Sequence, residues 1–206
     1  RTALGLMSAA VGKSLHLGEH DRSELVDAFD KTINKWNLHL FDGFGSYDPD
    51  HIYERIEYMA SGLETRVVFL DHLSILLSGL DGDERKMIDT TMTKLRSLVE
   101  RTGITLFLVS HLRRSNNDRT SHEEGGKVSL SQLRGSHSIA QLSDQVIALE
   151  RDQQAETDKD ITTLRIIKNR YSGETGFAGQ IKYDLSTSRF TEHETTNSVF
   201  NPSTDF

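Results

Sequence analysis

The chain has 206 residues with 24 Lys+Arg against 31 Asp+Glu, a formal net charge of −7. That length suggests one domain, and the balance excludes a uniformly basic, histone-like nucleic-acid binder while leaving room for a local basic strip. The absence of cysteine excludes disulfide scaffolds, thiolate zinc sites and cysteine nucleophiles and fits a reducing, cytoplasmic setting; no apolar run approaches the ~18–20 residues that a membrane-spanning helix needs.

Two prolines, Pro49 and Pro202, leave room for long regular elements. Leu4, Met7, Ala10 and Val11 fall on one helical face within Thr2–Gly12. A second helix is expected from Asp21, with Glu24 three residues on as a capping box and Leu25, Val26, Phe29 and Ile33 as its stripe. Leu38–Phe41 reads as a short strand. Asp48-Pro49 combines an N-cap with proline at the first helical position, and Ile52, Ile56, Met59, Ala60 and Leu63 make the next stripe. Val67–Leu70 is a continuous apolar run closed by Asp71. After the Gly/Asp-rich stretch Ser78–Asp83 comes a long helix with the face Ile88, Met92, Leu95 and Val99, stopped by Gly103. Ile104–Val109 is a second apolar run, followed by Ser110-His111.

Residues 112–129 lack periodicity and read as a loop, and Leu130–Leu142 holds short helical turns. Val146–Leu149 is a third apolar run, followed by Glu150-Arg151. Ile161–Lys168, Gln180–Tyr183 and Arg189–Thr191 read as hairpin strands around the turn-rich Tyr171–Gly176. From Glu192 on, the chain is polar. Helices alternating with apolar strands predict an α/β fold, a mostly parallel sheet flanked by helices, with C-terminal antiparallel hairpin strands appended. Ligands of such sheets bind beyond the carboxyl ends of the strands, so Asp71-His72, Ser110-His111 and Glu150-Arg151 stand where chemistry is expected.

An apolar strand ending in Asp is the Walker B pattern, in which a rigidly held carboxylate binds a Mg²⁺ that bridges nucleotide phosphates. The competing reading of Asp71 is a cap on the following turn. His111 can sense a γ-phosphate or be an ordinary half-buried histidine. Arg170, in Lys168-Asn169-Arg170-Tyr171, can stabilise charge on a transferring phosphoryl group or be a solvated edge cation. Between His111 and Arg134, five cations (Arg113, Arg114, Arg119, Lys127, Arg134) face three anions (Asp118, Glu123, Glu124), a local charge of +2 from five minus three. With Gly125, Gly126 and Gly135 it suits a nucleic-acid backbone, or else forms a solvated loop. Gly12-Lys13-Ser14 is a decoy for a phosphate loop, because Met7 stands where the motif needs glycine. The histidines show no paired metal spacing.

Taken in order, the stretches Leu70–Ile75, Asp83–Asp89, Val109–Leu112, His122–Gly125, Leu133–Ser136, Gln141–Asp144, Ala148–Arg151, Lys168–Arg170 and Gly173–Gly176 resemble the C-terminal helicase domain of the hexameric phage primase-helicases of the T-seven type. That group is itself similar to the mitochondrial replicative helicase and the bacterial DnaB group. The resemblance runs from about residue 2 to about 191. It implies a RecA-like ATPase domain over residues 1–191, a C-terminal tail over 192–206, and a ring hexamer moving 5′ to 3′ on single-stranded DNA.

By matching position it implies that Asp71 is the magnesium ligand, His111 the γ-phosphate sensor and Gln141 part of the segment coupling DNA to nucleotide. Arg170 becomes the arginine finger reaching the neighbouring subunit, with Lys168 beside it, and Arg151 and Tyr183 sandwich the nucleotide base. Arg113, Arg114, Lys127, Arg134 and Gly135 fall in the family's DNA-binding loop. The implied cofactors are Mg²⁺ and ATP, dTTP or another NTP. The implied partners are single-stranded DNA, copies of itself and, through the tail and Phe206, a replicative polymerase. In the family the phosphate-binding loop and catalytic Glu precede the segment that Arg1–Val11 resembles. The chain is therefore expected to be a fragment of a longer enzyme and to hydrolyse ATP poorly alone. The alternatives are a RecA-type recombination ATPase and a non-catalytic DNA- or partner-binding fragment.

Overall fold

The apolar stripes and caps of the sequence become helices where local signals agree. The structure, a computed structural model, describes residues 2–41, 48–77, 82–112, 122–133 and 137–194. Helix α1 (Thr2–Val11) and helix α2 (Arg22–Lys31) enclose a small core of Met7, Leu15 and Ala28, joined by Leu25 and Ile33. The other two residues of the expected α2 stripe, Val26 and Phe29, stay exposed. Asp21 does occupy the N-cap of α2, but its side chain makes no capping bond. Glu24 does not complete a capping box either, because it pairs with Lys13 and with His20. An ammonium group brought in from the preceding loop competes successfully for that carboxylate.

Residues 38–41 form no strand. Leu40 and Phe41 stay about half exposed, and among the described residues no neighbouring strand offers a ladder. A strand exists only where a partner satisfies its backbone, and a short apolar run cannot specify that partner.

Helix α3 (Pro49–Gly62) starts as expected, with the Asp48 carboxylate accepting from the Asp50 amide at 2.9 Å. Helix α5 (Glu84–Thr102) is capped by Asp83, which accepts from the amides of Arg85 and Lys86, and it stops at Gly103 in the left-handed conformation, φ 66°. Between them strand β1 (Val67–Leu70) runs parallel to strand β2 (Thr105–Leu108), with Val68 opposite Leu106. A five-residue helix, α4 (Leu73–Leu77), follows β1 and buries Leu73, Leu76 and Leu77. It is too short to display a helical period, so the sequence carried no sign of it. These elements build the main core, centred on Leu76, Ile88, Leu95 and Leu98. One face of the β1–β2 pair is bare: Phe69 stacks on Phe107 at 4.8 Å between ring centroids and is 74% exposed.

After a 3₁₀ turn (Leu130–Gln132) and helix α6 (His137–Leu142), the rest is an antiparallel sheet. Strands β3 (Gln145–Glu150), β4 (Ile161–Asn169), β5 (Gly176–Asp184) and β6 (Arg189–Glu192) lie side by side in that order. The fold class is thus α/β with C-terminal hairpin strands, as expected. The third apolar run, however, does not extend the parallel ladder: β3 pairs antiparallel with β4. The ten residues 151–160 between them are too few for the crossover that a parallel pairing requires. The end of the sheet returns to the start of the chain. Arg189 donates to the carbonyls of Ala9 and Ala10 at 2.6 and 2.7 Å, capping α1, and the Ser14 amide donates to Ser186.

Candidate functional site

Parallel pairing of β1 and β2 in register brings their tips together. The Val109 amide donates to Leu70 at 3.0 Å and the Leu73 amide to Val109 at 2.9 Å. Asp71 and His111, both exposed, therefore lie at the same end of the pair, and the His72 and His111 rings meet edge to face at 4.3 Å. The Nδ1 of His72 is buried with no hydrogen-bond partner among the described residues. Among the described residues no group of three or more His, Cys, Asp or Glu could cage a metal. One exposed carboxylate on a rigid strand tip suits a hard cation whose other ligands are water and phosphate oxygens, the coordination Mg²⁺ prefers. The residues present therefore fit a metal that arrives with a nucleotide.

A second cluster forms where β4 leaves the sheet. The Lys168 ammonium donates to the carbonyls of Ala140 (2.5 Å), Gln141 (3.2 Å) and Ser143 (2.7 Å), so it caps the C-terminus of α6. Burial, reinforced by the charge of Arg170 and opposed by Asp144, pushes its pKa down. Arg170 Nη2 donates to the Gln141 carbonyl at 2.6 Å, and Nη1 lies 3.1 Å from the Asp144 carboxylate. Gln141, Lys168 and Arg170 thus belong to one unit, with the Gln141 side chain exposed and its carbonyl shared.

Arg151 and Tyr183 share one end of the antiparallel sheet. β3 ends at Glu150, opposite Thr163 near the start of β4, and β5 passes the start of β4 with Lys182 opposite Ile161. Two strand spacings, about 10 Å, separate β3 from β5 there. The Tyr183 ring rests on Phe190 at 5.0 Å. Arg170 lies at the opposite end, beyond Asn169, the last residue of the nine-residue β4. At ~3.3 Å per residue that places it about 25 Å from the Arg151–Tyr183 end.

Residues 5–192 match the family model of the DnaB-like helicase C-terminal domain. The chain belongs to that family. The DNA helicase/primase of Enterobacteria phage T3 is 40% identical over 186 residues, which are 86% of this chain and 32% of that protein, so the chain spans about a third of that relative. A solved ATPase domain superposes with a TM-score of 0.69 at 20% identity, covering 94% of this chain and 69% of that one, a likeness of fold.

In this DnaB-like domain the predicted DNA-binding residues are only partly visible. Arg113, Arg114, Arg134, Gly135 and the tail residue Phe206 lie outside the described residues. Lys127 is exposed, and its neighbour Val128 is held from both sides: its amide donates to the Glu150 carboxylate at 2.6 Å, and its carbonyl accepts from Arg165 at 2.5 Å. Glu150 and Arg165 also pair with each other, and the Glu150 side chain is only 8% exposed. The sequence places Glu150 and His72 just past apolar runs without giving either a role, and gives none to Arg165, Asp144 or Arg96. Glu150 and Asp144 stood inside stretches that carried the resemblance, but only contacts across distant elements give them work. A groove of about 540 Å³ lies between the N-termini of α3 and α5 beside Tyr53, Lys86 and Lys94, and it touches none of the predicted site residues. Among the described residues no helix is long and apolar enough to cross a membrane.

Proposed function

We propose that residues 1–191 form the motor domain of a phage-type replicative DNA helicase, in which NTP hydrolysis between subunits of a ring, a hexamer by family resemblance, drives 5′-to-3′ movement on single-stranded DNA. Residues 192–206 would be a tail whose Phe206 docks on the replicative polymerase. The reading rests on family membership and on one geometric observation. The Arg151–Tyr183 clamp and Arg170 lie at opposite ends of one sheet, about 25 Å apart, so one copy cannot place both on the same nucleotide. A chain with two half-sites facing opposite ways makes a heterologous, head-to-tail interface, which builds a ring where the rotation closes and an open filament where it does not; family resemblance favours the ring.

Within one half-site, Asp71 would hold Mg²⁺, which when bound would neutralise charge on the transferring phosphoryl group. The chain's own residues do the rest. His111 stands at the same end of the β1–β2 pair as Asp71, within reach of a γ-phosphate oxygen. Arg151 and Tyr183 clamp the base between a guanidinium and a phenol ring. The neighbour's Arg170 answers charge that grows on the phosphoryl oxygens in the transition state. Lys127, projecting from an anchored backbone, meets the phosphates of single-stranded DNA.

Mixing tests this reading in the full-length protein. Asp71→Asn disables a subunit's own site, and Arg170→Ala disables its neighbour's. Each variant alone should turn over little ATP or dTTP. A one-to-one mixture should recover about a quarter of wild-type activity, the share of interfaces with Asp71 on one side and Arg170 on the other. A mixture no better than its components would overturn the between-subunit reading. An unwinding assay on forks with 5′ or 3′ tails separates a helicase from a recombination ATPase, and a full-length protein that turned over no nucleotide would leave a binding module.

A further inference from the structure

Asp144 is the one carboxylate, among the described residues, that ties Arg170 to the rest of the domain. It meets Arg170 twice: its carbonyl accepts the Arg170 amide at 2.8 Å, and one carboxylate oxygen lies 3.1 Å from Arg170 Nη1. Its other carboxylate oxygen accepts from Arg96 Nη1 of α5 at 2.7 Å, and Arg96 is in turn paired with Glu100 one helical turn on. The side chains of Arg96 and Asp144 are both 29% exposed, while that of Arg170 is 41% exposed. A carboxylate with two oxygens can serve two guanidinium groups at once. Here it spans from the long core helix α5 to the end of β4, with α6 in between. Lys168 binds the same turn of α6 through three carbonyls. The guanidinium of Arg170 therefore does not swing freely from the sheet edge. It is aimed by the last turn of α6, and that turn is referenced to α5 through Asp144 and Arg96.

We propose that Asp144 is the positioning residue of Arg170: it fixes the direction in which the guanidinium is presented to the neighbouring subunit and makes that direction follow the position of helix α6. This rests on the reading of Arg170 as the residue that acts across the subunit interface. A shift of α6 by a fraction of an ångström reaches Arg170 through three bonds, those from Gln141, from the Asp144 carbonyl and from the Asp144 carboxylate. A misplacement of about 1 Å at a catalytic group can cost 10²-fold in rate, so the carboxylate is a sensitive point of control although it touches neither nucleotide nor DNA.

The test is a double-mutant cycle in the full-length protein, with steady-state NTP hydrolysis on single-stranded DNA at saturating Mg²⁺. Asp144→Ala, and the near-isosteric Asp144→Asn in case the alanine variant does not fold, should each lower kcat roughly 10–100-fold and leave KM for the nucleotide and the assembly of the ring unchanged. Arg170→Ala should lower kcat by about 10³-fold or more. Asp144→Ala/Arg170→Ala should be no slower than Arg170→Ala alone, because Asp144 acts only through that guanidinium. A merely structural role would give losses that multiply, or a raised KM with kcat intact, and either result overturns the proposal. So does an Asp144→Asn enzyme within twofold of wild type. An Arg170→Ala enzyme with unimpaired kcat would instead remove the reading of Arg170 itself, and the proposal with it.

Discussion

At the scale of residues, the same side-chain types do different work according to what surrounds them. Asp71 is exposed at a strand tip, whereas Glu150 is buried and paired. Removing Asp71 would take away the proposed metal ligand without leaving a buried charge, so Asp71→Asn should leave the melting temperature near wild type. In the full-length protein it should lower kcat by about 10²–10³-fold, the scale of a lost charge-stabilising contact. Glu150→Ala should do the reverse. It strands Arg165 and frees the Val128 amide, and breaking such a buried pair costs about 3 kcal/mol, read by chemical denaturation.

Glu150 also sets a dependence on pH. Burial opposes its charge, but Arg165 and the Val128 amide outweigh burial and hold its pKa below the usual 4.5. A carboxylate held low stabilises the fold fully above 4.5 and loses that contribution as pH falls through its folded value. Melting curves of the wild type should therefore drop below about pH 4.5, and those of Glu150→Gln should drop less. Lys127→Ala, by contrast, should leave stability unchanged, weaken single-stranded DNA binding alike for all sequences, and reduce the salt slope of log K by about 0.7. The sequence singles out Asp71, His111 and Arg151 at the ends of apolar runs and Lys127 in a locally basic loop, and the structure shows where they stand, all four exposed. Asp144 was not legible as a positioning residue, because its meaning comes from Arg96, 48 positions away, and from Arg170 on another element.

At the scale of elements, local signals sufficed where the element is decided locally. Asp48 with Pro49, and Asp83 with Gly103, mark helix ends by hydrogen bonds and backbone freedom that need no tertiary partner. Gly103→Ala tests this. A Cβ there meets nothing within 4 Å, so the cost is the left-handed backbone alone, about 1 kcal/mol. Leu98→Ala, fully buried on the same helix, should cost about 3 kcal/mol through lost packing and the cavity it leaves. Both values follow from urea unfolding of the same protein, and a Gly103→Ala loss as large as that of Leu98→Ala would mean that the cap does more than relieve strain. Strand pairing was the part that stayed hidden. Val67–Leu70 and Ile104–Val109 read correctly as strands, but Leu38–Phe41 looks as apolar and finds no ladder, and Val146–Leu149 takes β4 as partner. An apolar run records that a segment is to be buried; which backbone it meets depends on the rest of the chain.

At the scale of the whole molecule, the charge of −7 and the proposed grip on DNA are reconciled by where the cations sit. The exposed cation at Lys127 rides on a backbone anchored by Glu150 and Arg165, while carboxylates such as Asp27, Asp50 and Glu57 pair with lysines and arginines elsewhere on the surface. The two cores differ in size and do not merge. The α1–α2 unit is joined to the sheet by Arg189, Ser14 and Ser188. Arg189→Ala should therefore loosen α1 and α2 before the main core melts: hydrogen exchange in residues 2–35 should speed up while that of α5 stays slow. Equal acceleration in both regions would show a single cooperative unit instead.

That same joint has a consequence for how the chain is made. The hydroxyl of Ser14 meets the carbonyl of Leu185 across 171 positions, and the carbonyls that end α1 wait for Arg189. A ribosome adding about 5–20 residues per second takes roughly 10–35 s to deliver those partners after α1 has been made. For that interval α1 exists without its clasp, and a segment that emerges well before the sheet is secured only after it.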